Sequence, residues 1–142
     1  MKPQKLNRKA AAIMDKLTNG LVKPGDNATF DYHNYTEHWD GGIMAAHVEH
    51  IGYFEGARGY PLFSVAHYYK QNGDMMRDPD MVFMKHDNGG FYPTSFEQSN
   101  MGLYQESLYY KDGCMMLAPR MQRDHKDFAN QWMINIKQQQ GL

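Results

Sequence analysis

The period of the apolar residues changes twice along this 142-residue chain, and that change limits the fold more than any other feature. Near the start, Leu6, Ala10, Ile13, Met14 and Leu17 recur at helical spacing, while Lys5, Arg8, Lys9, Asp15 and Lys16 take the other side. From about residue 28 the spacing falls to two. Near residue 119 it returns to the helical value, with Met121, His125, Phe128, Ala129, Trp132, Met133 and Ile136 on one stripe. The middle is punctuated by short turn signals. Strands joined by tight turns must pair antiparallel, because parallel pairs need crossovers of a dozen or more residues. An α+β fold follows: an antiparallel meander sheet of six or seven strands, bracketed by an N-terminal and a C-terminal helix that share one sheet face.

Local signals set the expected boundaries within a single domain over residues 1–142. The N-terminal region, 1–20, holds a helix over 4–19 that stops at Gly20. The sheet occupies 28–118. Its first strand runs from Thr29 to Trp39, with Phe30 and Tyr32 on one face and a bulge near Asn34. Asp40-Gly41-Gly42 is a hairpin signal leading into a second strand over 43–53. A glycine-bearing loop, Phe54 to Tyr60, precedes a third strand over 62–70, where Phe63, Val65, His67 and Tyr69 share a face. Gln71 to Asp80 reads as a polar connection. A fourth strand over 81–86 turns through Asp87-Asn88-Gly89-Gly90 into a fifth over 91–98, which Pro93 places at an edge or a bulge. A sixth strand, 103–110, turns at Asp112-Gly113 into a seventh, Cys114–Leu117. Pro119 opens the closing helix, 119–138, and the glutamine-rich end is expected to fray.

Composition excludes several function classes. Fifteen basic and sixteen acidic residues give a net charge of −1, without the basic excess of an electrostatic nucleic-acid binder. No apolar run is long enough for a membrane span, and no signal peptide is visible at Met1-Lys2-Pro3-Gln4. One cysteine, Cys114, precludes an internal disulfide and suits a cytoplasmic protein; with acidic Asp112 nearby it reads as a buried or idle thiol. No phosphate-binding loop, dinucleotide fingerprint or nucleophile elbow occurs, so no cofactor is expected.

Seven histidines raise the question of a metal. His47 and His50 stand three apart in an expected strand and so point to opposite faces, and no ligand set with zinc spacing is present; no metal site is expected. Asp74, Asp78 and Asp80 lack the alternation of a calcium loop. His67 is the candidate of most interest, because a histidine on an apolar face needs a partner. Glu97 and Gln105, on adjacent strands, could meet it in a polar patch, with a structural histidine and a general base both open readings. The tyrosines give a second candidate. Adjacent pairs such as Tyr68-Tyr69 must send one ring to each face, so rings including Tyr69, Tyr92 and Tyr109 supply anchors for a protein partner, or, less well matched to the charge balance, a stacking platform for single-stranded nucleic acid.

The strings from Ser64 to Asp74 (SVAHYYKQNGD), Arg77 to Phe83 (RDPDMVF), Phe91 to Gln98 (FYPTSFEQ) and Gly102 to Glu106 (GLYQE), with Phe128, Trp132 and Asn135-Ile136-Lys137 in the last helix, resemble a family catalogued only as a domain of unknown function. Its members look like small proteins of plasmids, phages and conjugative elements of gut-type bacteria. The resemblance covers about 43–140 and brings no catalytic set. What it implies is a mobile-element context. The expectation is a non-enzymatic binding protein, for instance an inhibitor of a CRISPR effector or restriction enzyme. A small enzyme or ligand-binding domain centred on His67 is the alternative from another class.

Overall fold

A computed structural model describes residues 2–39, 42–55 and 59–142. Two helices flank a six-stranded antiparallel sheet and a separate two-stranded hairpin. Helix α1, Arg8–Leu17, is shorter than the expected 4–19, because Asn7 caps it by accepting from the Ala10 N–H at 2.9 Å. The residues before it are not helical: the Leu6 N–H bonds the Phe91 carbonyl, and the Gln122 side chain bonds both the N–H and the carbonyl of Gln4.

Strand β1, Asn27–Phe30, ends well before the expected Trp39. The Asp31 carboxylate captures the Tyr35 N–H, the Thr36 N–H and the Thr36 hydroxyl, and Asn34 turns left-handed (φ 55°) into one turn of 3-10 helix, Tyr35–Glu37. The chain therefore leaves the sheet where a bulge was expected. Asp40 and Gly41 of the hairpin signal lie outside the described residues, as do 56–58 of the following loop. Strands β2, Ala46–Tyr53, and β3, Pro61–Gln71, agree with their expected spans apart from the start of β2.

The polar segment 71–80 is not a connection. Asn72 and Gly73, both at positive φ, make a two-residue hairpin turn, and β4 runs unbroken from Asp74 to Lys85. Strand β5, Phe91–Gln98, lies between β4 and β6, so Pro93 is no edge residue; it sits at a bulge, where Val82 faces Ser95 but Phe83 faces Pro93. The expected sixth strand is broken at Ser107 into β6, Leu103–Glu106, and β7, Leu108–Lys111. Ser107 donates its N–H to Thr94 and accepts from Ala118 at its carbonyl, which pulls the backbone out of the main sheet. Strand β7 pairs only with β8, Cys114–Leu117, through the Asp112-Gly113 turn. The main sheet is then an unbroken meander in the order β1 to β6.

Helix α2, Pro119–Gln140, does not fray at 138. The buried Gln140 side chain accepts from the Tyr32 N–H and donates to the Met44 carbonyl, and Gly141 closes the helix at positive φ. Both helices pack on one sheet face, as expected. Register fixes that face: Ala46 faces His67, Val48 faces Val65, Val65 faces Met81, and Phe63 faces Phe83, and the apolar side chains among them join Met14, Leu17, Trp132, Met133 and Ile136 in one core. Each fully buried side chain of this size contributes roughly 1.5–3 kcal/mol, so the helix-facing side supplies most of the stability.

Candidate functional site

The other sheet face carries no helix. Register places Thr29, His47, Ala66, Asp80, Glu97 and Tyr104 along one row across it, and Asn27, Glu49, Ser64, Val82, Ser95 and Glu106 along the next. This side is free of helices and carries several charges, although the chain as a whole is close to neutral. Four carboxylates, Glu49, Asp80, Glu97 and Glu106, stand on it with one guanidinium, Arg77.

At its centre the charges are held in a network. The Ser64 hydroxyl donates to Asp80 at 2.7 Å, and Arg77 reaches Asp80 at 3.5 Å and Glu97 at 3.3 Å. Burial raises the Asp80 pKa above the ordinary carboxylate value, against the Ser64 hydrogen bond and the Arg77 charge. A hydrogen bond to Tyr68, followed by the two carboxylates, raises that of Arg77. On the neighbouring strands, His47 meets the Tyr68 ring at 5.1 Å and the Thr29 hydroxyl at 3.1 Å, and burial lowers its pKa.

Toward the other end of this face the β7–β8 hairpin folds against the sheet and leaves a groove of about 320 Å³. Ile51, Tyr53, Tyr104 and Tyr109 line it, together with Glu55 and Glu106. Tyr104 is 58% exposed, Tyr53 49% and Ile51 44%, so one groove leaves three large side chains open to solvent. The Tyr104 hydroxyl holds its proton more tightly than an ordinary phenol, through burial and then the Glu106 charge.

The residues singled out from sequence do not converge. His67 lies on the helix-facing side, buried, with its ring edge-on to Trp132 at 5.3 Å and its Nε2 without a hydrogen-bond partner. Burial pushes its pKa down to about 4, so it is neutral near pH 7. Glu97 is on the opposite face with Arg77. Gln105, opposite Phe96, is back on the helix side with His125. A one-residue difference in register separates the two, so the expected patch of His67, Glu97 and Gln105 does not form. Tyr69 is half-buried on β3 opposite Met76, and Tyr92 is half-buried on β5 with its hydroxyl accepting from the Asn88 amide. Of the six, Tyr109 alone lines the groove. Cys114 is exposed rather than buried.

A constellation that sequence reasoning missed ties the break at Ser107 to α2. The Ser107 hydroxyl lies 2.8 Å from His125 Nδ1, and His125 Nε2 lies 2.9 Å from Gln105 Oε1. With Gln105 accepting, the ring proton is on Nε2 and Nδ1 accepts from Ser107. The outline resembles a nucleophile relay, yet Ser107 is 0% exposed and no substrate atom reaches its hydroxyl. Its chemistry is that of a satisfied buried tether. Its only sequence signal was His125 on an apolar stripe, which marks burial but not a partner.

Among the described residues, no three His, Cys, Asp or Glu side chains are grouped to hold a metal ion, and no helix is long and apolar enough to cross a membrane. No curated protein and no solved structure matches the chain. Residues 18–142, from the end of α1 through all eight strands and α2, match one family throughout. The chain belongs to the family described as domain of unknown function DUF6908.

Proposed function

We propose that this protein is a non-enzymatic binding module of a mobile genetic element that seats a host protein on its helix-free sheet face. The single observation that carries the reading is the groove between the sheet and the β7–β8 hairpin, where Tyr53, Tyr104 and Ile51 stand exposed beside Glu55 and Glu106. Exposed tyrosines around a concave surface are good interface anchors, since they offer large amphipathic area at low entropic cost. The carboxylates favour a basic partner. Enzymes that hold nucleic acid present basic clefts, so a defence nuclease, of the CRISPR-effector or restriction type, fits the charge of this face. The mobile-element context rests on the resemblance carried by the 64–106 strings. The same acidity weighs against single-stranded nucleic acid as the ligand. An enzyme centred on His67 finds little support, because that side chain is sealed beneath Trp132.

The test compares Tyr104→Ala with Lys9→Ala, a substitution on the exposed side of α1, as immobilised baits for host lysate and as additives in nuclease assays. Tyr104→Ala is expected to weaken retention of the partner about tenfold to thirtyfold, with stability unchanged within about 0.5 kcal/mol. Lys9→Ala is expected to bind like the wild type. Equal retention by both variants, or no retained partner together with fully active nucleases, contradicts the reading.

A further inference from the structure

A second cavity, of about 360 Å³, lies beside the groove, between the sheet, the segment preceding α1 and the β7–β8 hairpin. Its volume is that of a small-molecule site, and its lining is mostly aromatic. Tyr60 and His86 lie 4.6 Å apart in a tilted stack, His86 meets Tyr92 at 5.9 Å, and Phe54 meets Tyr110 edge-on at 6.3 Å. His86 and Tyr92 are held by hydrogen bonds within the protein. His86 Nδ1 accepts from the Asn88 N–H at 3.0 Å, which leaves the ring proton on Nε2, and the Asn88 amide holds the Tyr92 hydroxyl at 3.2 Å. Phe54 and Tyr110 also line the groove, so that ring pair is the wall between the two spaces.

The charge of this cavity is opposite to that of the groove. Among the described residues that line it, Lys2 is the one cation and no carboxylate is present. Lys2 is exposed and makes no ion pair with another described residue. A cage of rings alone would suit a quaternary ammonium group through its π faces, but a lysine at the same site repels one. Flat rings instead stack well against Tyr60, His86 and Tyr92, and an anionic substituent finds Lys2. We infer that the cavity binds a flat aromatic small molecule bearing one carboxylate or similar anionic group.

The experiment titrates isotope-labelled protein with three probes of one ring system: indole-3-acetate, neutral indole, and tryptamine with its ammonium group. A ligand of this size is expected to saturate with a Kd of about 1 mM or tighter. Amide shifts should be confined to the lining segments, near residues 54, 60, 84–86, 92, 110 and 115, with affinity falling from the anion through indole to tryptamine. Lys2→Glu should weaken indole-3-acetate about threefold to fivefold and leave indole unchanged. Met115→Trp, at an exposed lining position on β8, should fill the space and abolish binding of all three, with a dispersed amide spectrum confirming its fold. Tyr104→Ala should bind the probes like the wild type, which separates this site from the protein-binding groove. Tryptamine binding as tightly as indole-3-acetate, an unaltered affinity in Lys2→Glu, no saturable shift, or shifts spread over the rest of the sheet would each overturn the assignment.

Discussion

Lowering the pH from 7.5 to 4.5 is expected to remove roughly 2–3 kcal/mol of stability through His67 alone. The ring is buried against Trp132 with an unpartnered Nε2, and burial holds its pKa at about 4 against an ordinary value of 6.5. Asp78 pulls the pKa up and His47 pushes it further down, but both are smaller than burial. The unfolded chain therefore takes up a proton near pH 6.5 that the folded chain refuses until about pH 4. Stability is full above the unfolded value, declines as the pH falls between the two, and levels off below the folded one. His67→Phe keeps an aromatic ring edge-on to Trp132 and removes the titration. Denaturant unfolding of the two proteins at both pH values checks this. Burial shifts His125 and His47 in the same direction, so the difference between wild type and variant isolates His67. Parallel pH profiles for the two proteins would show that His67 does not stay neutral in the fold.

His125→Ala is expected to cost about 2–4 kcal/mol, the largest single loss among the polar residues described above. The imidazole is buried, bonded on both nitrogens, and stacked on Phe96 with ring centroids 5.7 Å apart. Its removal leaves the Ser107 hydroxyl only the long contact to the Thr94 carbonyl at 3.4 Å, frees Gln105 and opens a cavity under α2. Ser107→Ala removes only one hydrogen bond and is expected to cost about 0.5–1.5 kcal/mol. The same pair separates a tether from a catalytic relay. A fluorophosphonate probe should leave Ser107 unlabelled in the folded protein, and labelling that depends on His125 would mean that the hydroxyl is reached by substrates.

Much of the fold was legible because local chemistry and tertiary structure agree over long stretches. Pro119 and the stripe from His125 to Ile136 gave α2, and alternation over 62–70 gave β3. The failures are places where a long-range or side-chain contact outweighed the pattern. Alternation continues past Phe30, but three hydrogen bonds to the Asp31 carboxylate favour a turn there. The polarity of 71–80 reads as a loop, although it reflects a hairpin extending beyond the core, with Asn72-Gly73 at its tip. Ser107 sits between two strand-like stretches with no glycine or proline to mark a break, and nothing local reveals that Thr94 and Ala118 hold its backbone. The candidate site was less legible for the same reason. Tyr109 was found on residue type, but pairing register decides which tyrosines share a face. Ala66, not His67, shares a row with Asp80 and Glu97, and Gln105 pairs with Phe96, so His67 and Gln105 face the helices while Glu97 faces away.

The central claim is that the helix-free face, around the groove, is where this protein holds another macromolecule. Amide hydrogen exchange, measured on the chain alone and in complex with the partner retained by the wild-type bait, tests it most directly. New protection is expected over 51–55, 103–106 and 108–110, with α1 and α2 unchanged. Protection concentrated on the outer surfaces of α1 and α2, with those sheet segments exchanging as before, would contradict it.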